Sequence, residues 1–193
     1  GMPYPQNLKV AQDVERILRD KGVIPATIAV KDGIGRIGLS SSSADDDELQ
    51  DLAQAGKDAL KVSTRELSLL MGRRQPPSSQ TTLWGATTVA STMTLAHQAG
   101  ISTFVTGGIG GVHRGGESSM DVSTDLTELS RTPVIVISAG IKSILDISRT
   151  LELLETLAVP TVTYQSDDFP AFFSPTSGVQ TPWRVDSPEE IAR

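Results

Sequence analysis

Ile101-Ser102-Thr103-Phe104-Val105-Thr106-Gly107-Gly108-Ile109-Gly110-Gly111-Val112-His113-Arg114-Gly115-Gly116 is the stretch on which the reading of the fold turns. It opens as an apolar, β-prone run and passes straight into a loop, 106–116, with six glycines in eleven residues. The same grammar returns at Val134-Ile135-Val136-Ile137-Ser138-Ala139-Gly140-Ile141-Lys142-Ser143, a continuous apolar run followed by a small-residue loop. An apolar run without alternation is the pattern of a strand covered on both faces. Residues 142–157 follow as a predicted helix, with Ile144, Leu145, Ile147, Leu151, Leu154 and Leu157 on its apolar face, and Pro160-Thr161-Val162-Thr163-Tyr164 reads as the next strand. Strand, helix and strand joined by short connections predict parallel crossovers. The expected fold is therefore α/β, a mostly parallel central sheet flanked by helices in an α/β/α sandwich, with residues 1–193 as one domain.

Upstream, Leu8, Val10, Val14, Ile17 and Leu18 recur at helical spacing and Gly22 ends the run. Residues 23–30 read as a strand, and Asp32-Gly33 turns the chain back into a second strand at Gly35-Arg36-Ile37-Gly38-Leu39. Asp45-Asp46-Asp47-Glu48 suits the positive end of a helix. Residues 72–82, with Pro76-Pro77 among polar neighbours, are expected to be a flexible insertion. Residues 85–99 look helical after Thr87-Thr88, and Ser123 opens a short helix to Leu129. The helix that begins at Ser187-Pro188-Glu189-Glu190 stops after about two turns, so the sequence is expected to be cut at its C-terminus.

Composition removes several classes of function. The net charge of −6 offers no basic surface for nucleic acid. With no cysteine, disulfides, thiolate metal sites and cysteine nucleophiles are excluded. No apolar run approaches the roughly 18 residues of a membrane span, and no leader is visible, so a cytoplasmic protein is expected. Aromatic residues are 4% of the chain, so the core has to be aliphatic.

Open α/β sheets bind ligands beyond the carboxyl ends of their strands, where both small-residue loops fall. Six glycines let backbone approach a ligand and free amides for an anion, although the spacing is not a dinucleotide fingerprint. His113 in that loop is either a surface residue or a ligand contact. Lys142 either snorkels to solvent or, at the end of a buried strand and the start of a helix, is disfavoured as an ammonium and free to attack a carbonyl as an amine. Asp121-Val122-Ser123-Thr124-Asp125 reads first as a helix cap and second as a ligand for a hard cation with hydroxyls beside it. A single carboxylate suits Mn²⁺ or Mg²⁺, which keep several waters; two histidines and no cysteine make a poor zinc site.

Together these stretches resemble one family, that of pseudouridine-5'-phosphate glycosidase, also called the indigoidine synthase A family. The motifs are Met2-Pro3-Tyr4-Pro5-Gln6-Asn7, Pro25-Ala26-Thr27-Ile28-Ala29, Gly85-Ala86-Thr87-Thr88-Val89, the loop from Thr106 to Gly115, the run from Ser138 to Asp146, and Pro170-Ala171-Phe172-Phe173. The resemblance implies reversible cleavage of the C–C glycosidic bond of pseudouridine 5'-phosphate to uracil and ribose 5-phosphate. It implies that Lys142 forms an imine with the sugar and that Asp121 holds a hydrated Mn²⁺. It also implies substrate contacts from Ser123, Thr124, Asp125 and Val89, and a phosphate contact from Lys61. Thr64 and Glu66 depart from the family's Ser-Arg-Arg-Asp pattern beside that lysine. A homo-oligomer, a trimer, is implied as well.

The family's Glu-Ser-Thr segment, which supplies its proton donor, and its asparagine-rich region have no counterpart in these 193 residues. The expectation from sequence is a weak or inactive enzyme that still binds metal and phosphosugar. Two other readings stand beside it: a paralogue that binds a phosphosugar without turnover, and a lysine-imine aldolase acting on another phosphosugar.

Overall fold

The computed structural model describes residues 2–41, 47–72, 81–174 and 176–192. Most of the expected insertion at 72–82 and most of the acidic run before Asp47 lie outside the described residues. The chain forms two compact units, Gly1–Ala99 and Gly100–Arg193.

In the first unit, helix α1 (Gln6–Asp20) lays Leu8 against Ala29, Leu39, Leu49 and Trp84. Strands β1 (Ile28–Lys31) and β2 (Ile34–Ile37) form a hairpin whose turn residues Asp32 and Gly33 both have positive φ, 51° and 77°. That left-handed pair is the geometry an Asp-Gly hairpin adopts. Helix α2 (Glu48–Ala55) is capped by Asp47, whose Oδ1 accepts from Gln50 N at 2.8 Å. After a 3-10 turn (Gly56–Asp58) come β3 (Leu60–Val62), α3 (Thr64–Gly72), β4 (Trp84–Thr87) and α4 (Val89–Gln98). The sheet runs β2-β1-β4-β3. A second cluster, Val30, Val62, Leu67, Leu70 and Leu95, packs beneath it.

The α/β class holds, and the sheet of this unit is mixed. The Asp32-Gly33 hairpin makes β1 and β2 antiparallel, β1 and β4 are antiparallel too, and the parallel pairing is β3 with β4. The strand expected over 23–30 is shorter: Ile28–Lys31 pair, while Ile24 is 94% exposed. The helix expected over 85–99 starts at Val89, because Gly85-Ala86-Thr87 belong to β4. Gly85 sits so close to Val62 that a Cβ would fall 2.6 Å from its Cγ2, which is why a glycine stands mid-strand.

The first turn of α3 carries a titratable clasp. Glu66 accepts from Arg65 Nε at 2.5 Å and from Ser63 N at 3.1 Å, and these bonds, Arg65 first, hold its carboxyl below the ordinary value of 4.5. A depressed carboxylate contributes stability that is present above the unfolded value and is lost as pH falls through the folded one. Urea titrations from about pH 6 down to about pH 3 should show the parent losing more stability below about pH 4.5 than Glu66→Gln does. Parallel pH profiles would remove Glu66 from the account of α3.

The second unit holds β5 (Thr103–Val105), β6 (Val112–His113), α5 (Gly116–Ser119), α6 (Thr124–Leu129), β7 (Ile135–Ile137), β8 (Leu145–Asp146), α7 (Ile147–Thr156), β9 (Thr163–Tyr164), β10 (Arg184–Val185) and α8 (Pro188–Ile191). β5 and β7 are parallel, as are β9 and β10, whereas β6 and β8 are antiparallel. Strand β7 is not covered on both faces: Ile135 is 52% and Ile137 50% exposed, with β5 as its one ladder partner among the described residues. The helix expected over 142–157 begins instead at Ile147, because Asp146 caps it by accepting from Arg149 N at 3.0 Å. Leu145 is drawn into β8, and Ile144 is 69% exposed rather than on a helix face.

Candidate active site

The glycine-rich stretch is not a free loop. Beyond Val105 it runs beside the continuation of β7: Thr106 N donates to Ile137 O (2.9 Å), Ala139 N to Gly107 O (3.1 Å), Ile109 N to Gly140 O (3.1 Å) and Lys142 N to Ile109 O (3.2 Å). Ile109 and Ile141 form a parallel bridge. A few residues on, the pairing changes sense, and Val112 and His113 face Asp146 and Leu145 in antiparallel register. The chain after Ile141 therefore has to reverse. It does so in a tight turn closed by Leu145 N on Lys142 O at 2.9 Å, with Lys142 as its first residue. The buried strand end and helix start expected at Lys142 are both missing; the residue is exposed, on a turn ahead of α7. Among the described residues its Nζ has no hydrogen-bond or ion-pair partner. The turn supplies an accessible amine on a backbone fixed at both ends.

On the other edge of the glycine-rich strand lie residues 121–123. His113 N donates to Asp121 O and Ser123 N to Gly111 O, both at 3.0 Å. The Asp121 side chain is 63% exposed, with Oδ2 3.7 Å from His113 Nδ1. Ser123 caps α6, its Oγ accepting from Asp125 N at 3.2 Å. Thr124 is exposed in the first turn. Asp125 is 3% exposed, and its Oδ2 accepts from Gly110 N at 2.8 Å. Backbone pairing thus brings His113, Asp121, Ser123, Asp125 and Lys142 onto one glycine-rich strand and its two edges.

Packing explains several of the glycines. A Cβ on Gly110 would collide with Ser123 Oγ and lie 2.7 Å from Asp125 Oδ2. One on Gly111 would fall 2.5 Å from Thr150 Oγ1, and one on Gly108 2.6 Å from the Phe172 ring. The amides expected to be free for an anion are partly committed to the protein, those of Gly110 and Val112 to Asp125 and Thr150 side chains. The sequence does not single out Thr150: it is a threonine one turn inside an amphipathic helix, and nothing in its spacing marks it. Phe172, by contrast, lies in a stretch that the sequence does mark, Pro170-Ala171-Phe172-Phe173. That segment bridges to Gly140 through Ala171 and lays a ring over Gly107 and Gly108.

Lys61 and Val89 belong to the first unit, at the carboxyl end of the parallel β3–β4 pair. Val62 and Thr87 are in register there, and Thr88 N donates to Val62 O at 2.9 Å. Lys61 is exposed, without a side-chain partner among the described residues. Val89, at the start of α4, is 6% exposed. Thr88 and Ser91 make a capping box there. In the second unit an open cleft of about 530 Å³ is lined by Ser148, Leu151, Glu152, Glu155, Gln180 and Thr181 among others, and no residue of this constellation lines it. The cleft carries two carboxylates, Glu152 and Glu155, and the candidate site is the glycine-rich strand with its two edges.

The family model described as "Indigoidine synthase A like protein" matches residues 1–193. The chain belongs to the indigoidine synthase A-like family. Among curated relatives, it is 52% identical to a pseudouridine-5'-phosphate glycosidase of Arabidopsis thaliana, covering 100% of this chain and 54% of that protein. It is 55% identical to one of a Nocardioides species, covering 100% and 58%. The chain thus spans a little over half the length of these relatives. Two solved structures match at TM-score 0.85. One is the prealnumycin C-glycosynthase AlnA in complex with ribulose 5-phosphate, 36% identical, covering 98% of this chain and 58% of that one. The other is an indigoidine synthase A-like protein of Thermotoga maritima, 38% identical, covering 100% and 59%. The α/β class read from the sequence accords with these neighbours. No helix among the described residues is long and apolar enough to cross a membrane.

Proposed function

We propose that the site performs reversible C–C glycosidic bond cleavage of pseudouridine 5'-phosphate, giving uracil and ribose 5-phosphate, with Lys142 as the covalent amine. The observation that carries this is the exposed Lys142, whose Nζ has no partner among the described residues, on a turn whose backbone is tied to the glycine-rich strand on both sides. Names of relatives support the substrate, and the C-glycosynthase neighbour, which holds a pentose 5-phosphate, supports the sugar class.

A C–C bond to uracil offers no leaving oxygen to protonate, so paired-carboxylate glycoside hydrolysis does not serve. Instead, the C1'–O4' bond breaks as the ribose ring opens, its electron pair staying on O4', which takes up a proton. The Lys142 amine bonds to C1' and gives up a proton. The C1'–C5 bond then breaks, with its electron pair leaving on uracil, which takes up a proton at C5. The nitrogen lone pair forms the imine, and water releases ribose 5-phosphate and the free amine. Lys61, an exposed lysine of the first unit, would attract the phosphate. Ser123 and Thr124 would offer hydroxyls to the sugar phosphate, and Asp125 would keep Gly110 in place. Val89, buried, would shape the α4 end rather than offer a polar contact.

For the metal, the donor set at Asp121 is one exposed carboxylate with the His113 imidazole beside it. No group of three or more His, Cys, Asp or Glu side chains that could hold an ion occurs among the described residues. That set fits a hard divalent cation that keeps most of its waters, Mn²⁺ or Mg²⁺, with Asp121 as its protein ligand. Bound there, the ion would supply positive charge for an anionic substrate. Asp121→Asn is expected to weaken Mn²⁺ binding, read from the electron paramagnetic resonance signal of free Mn²⁺, by roughly tenfold or more. Unchanged binding would place the ion elsewhere. Homotrimer formation belongs to the same reading and is checked by sedimentation equilibrium.

The test of function is uracil release from pseudouridine 5'-phosphate, followed by chromatography. Uracil and ribose 5-phosphate in equal amounts support the proposal. Binding of ribose 5-phosphate with no uracil would instead support a phosphosugar-binding protein. Bond formation from a pentose phosphate and an aglycone other than uracil would favour the second reading suggested by the C-glycosynthase neighbour.

A further inference from the structure

Val112 sits where the glycine-rich strand is paired on both edges. On one side its neighbours Gly111 and His113 pair with residues 121–123; on the other, Val112 faces Asp146 in antiparallel register. At Asp146 the chain leaves β8 and enters α7. A side chain one turn into the helix supplies an acceptor: Val112 N donates to Thr150 Oγ1 at 2.9 Å. The same hydroxyl donates to Asp146 O at 2.6 Å. Thr150 is 0% exposed, so both bonds are made without water. Threonine hydroxyls inside helices often bond back to the preceding turn. Here the same oxygen also accepts from another element, and Gly111 makes room for it, since a Cβ there would fall 2.5 Å from Oγ1.

Lys142 depends on this clasp through its turn. One end of the turn is anchored at Ile141 by Ile109, and the other at Leu145–Asp146 by Val112–His113. We propose that Thr150 is a positioning residue that sets the Lys142 amine for attack on the sugar, an inference that rests on the imine reading above. Removing the hydroxyl leaves a buried Val112 N–H without an acceptor, which separates β6 from the start of α7 and lets the far anchor of the turn move. Attack on carbon is sensitive to misplacement of about 1 Å, whereas phosphate capture by other residues is not. The deficit therefore falls on turnover rather than on substrate binding.

The test compares the parent chain with Thr150→Val and Thr150→Ser. Readouts are kcat and KM for uracil release, the rate of sugar adduct formation under cyanoborohydride, and hydrogen exchange at the Val112 amide. Thr150→Val is expected to lower kcat and the adduct rate roughly 10- to 100-fold with KM nearly unchanged, and to lose Val112 protection. Thr150→Ser, which keeps the hydroxyl, should recover both the rate and the protection. An active parent with an unimpaired Thr150→Val overturns this inference alone. So does a Thr150→Ser as slow as Thr150→Val, or a change confined to KM. A folded parent that neither releases uracil nor traps a sugar overturns the imine reading and this inference with it.

Discussion

Gly140→Ala is expected to lower the stability of the second unit by roughly 2–6 kcal/mol, a large effect for the addition of one methyl group. Two causes add. Gly140 has φ +102°, a conformation that side-chain-bearing residues rarely adopt. A Cβ built there would also run into the carbonyl oxygen of Pro170, with the Pro170 carbonyl carbon 3.1 Å away. That obstacle is backbone, held by the bridge between Gly140 and Ala171, and it cannot rotate aside. Gly178→Ala is the matched comparison. Its φ of +72° is left-handed too, yet nothing lies within 4 Å of a Cβ, so strain alone remains, about 1–2 kcal/mol. Denaturant midpoints at constant slope measure both. Equal losses would mean that the 138–142 and 170–172 segments do not pack as described.

Lys142→Ala is expected to abolish turnover, by on the order of 10³-fold or more, while leaving the fold intact. The side chain is exposed and makes no hydrogen bond or ion pair among the described residues, so its loss orphans no buried group among them. Lys61→Ala should behave differently. If Lys61 attracts the phosphate equally in ground and transition states, its removal raises KM and leaves kcat close to the parent's. A Lys142→Ala protein that still releases uracil at the parent rate would remove the amine from the mechanism. A Lys61→Ala protein with unchanged KM would remove Lys61 from the phosphate site.

Much of this architecture can be read from residue order, and the departures share physical causes. The Asp32-Gly33 hairpin and the α1 helix follow from turn chemistry and apolar periodicity, which are local, and the parallel β5–β7 pair from the order of strands and helices. Periodicity puts Lys142 in a helix because Ile144, Leu145 and Ile147 sit at helical spacing, but Asp146 caps the helix later and a reversal of strand sense puts a turn in between. No periodicity reports a change from parallel to antiparallel pairing. The glycines of 106–116 invite a ligand-cradle reading; several are instead needed because Ser123, Thr150 and Phe172, distant in sequence, press against them. Asp125 shows the same limit: its spacing gives a helix cap or a ligand, whereas its burial against Gly110 gives a brace. Thr150 is illegible in the sequence, because its role arises from where a ladder ends.

The central claim is that Lys142 forms an imine with a pentose 5-phosphate, and intact-mass spectrometry after incubation with ribose 5-phosphate, Mn²⁺ and borohydride tests it most directly. The account predicts one reduced sugar adduct on the parent chain, mapped to the peptide containing Lys142 and absent from Lys142→Ala. An adduct that persists in Lys142→Ala, or a folded parent chain that acquires none, would contradict it.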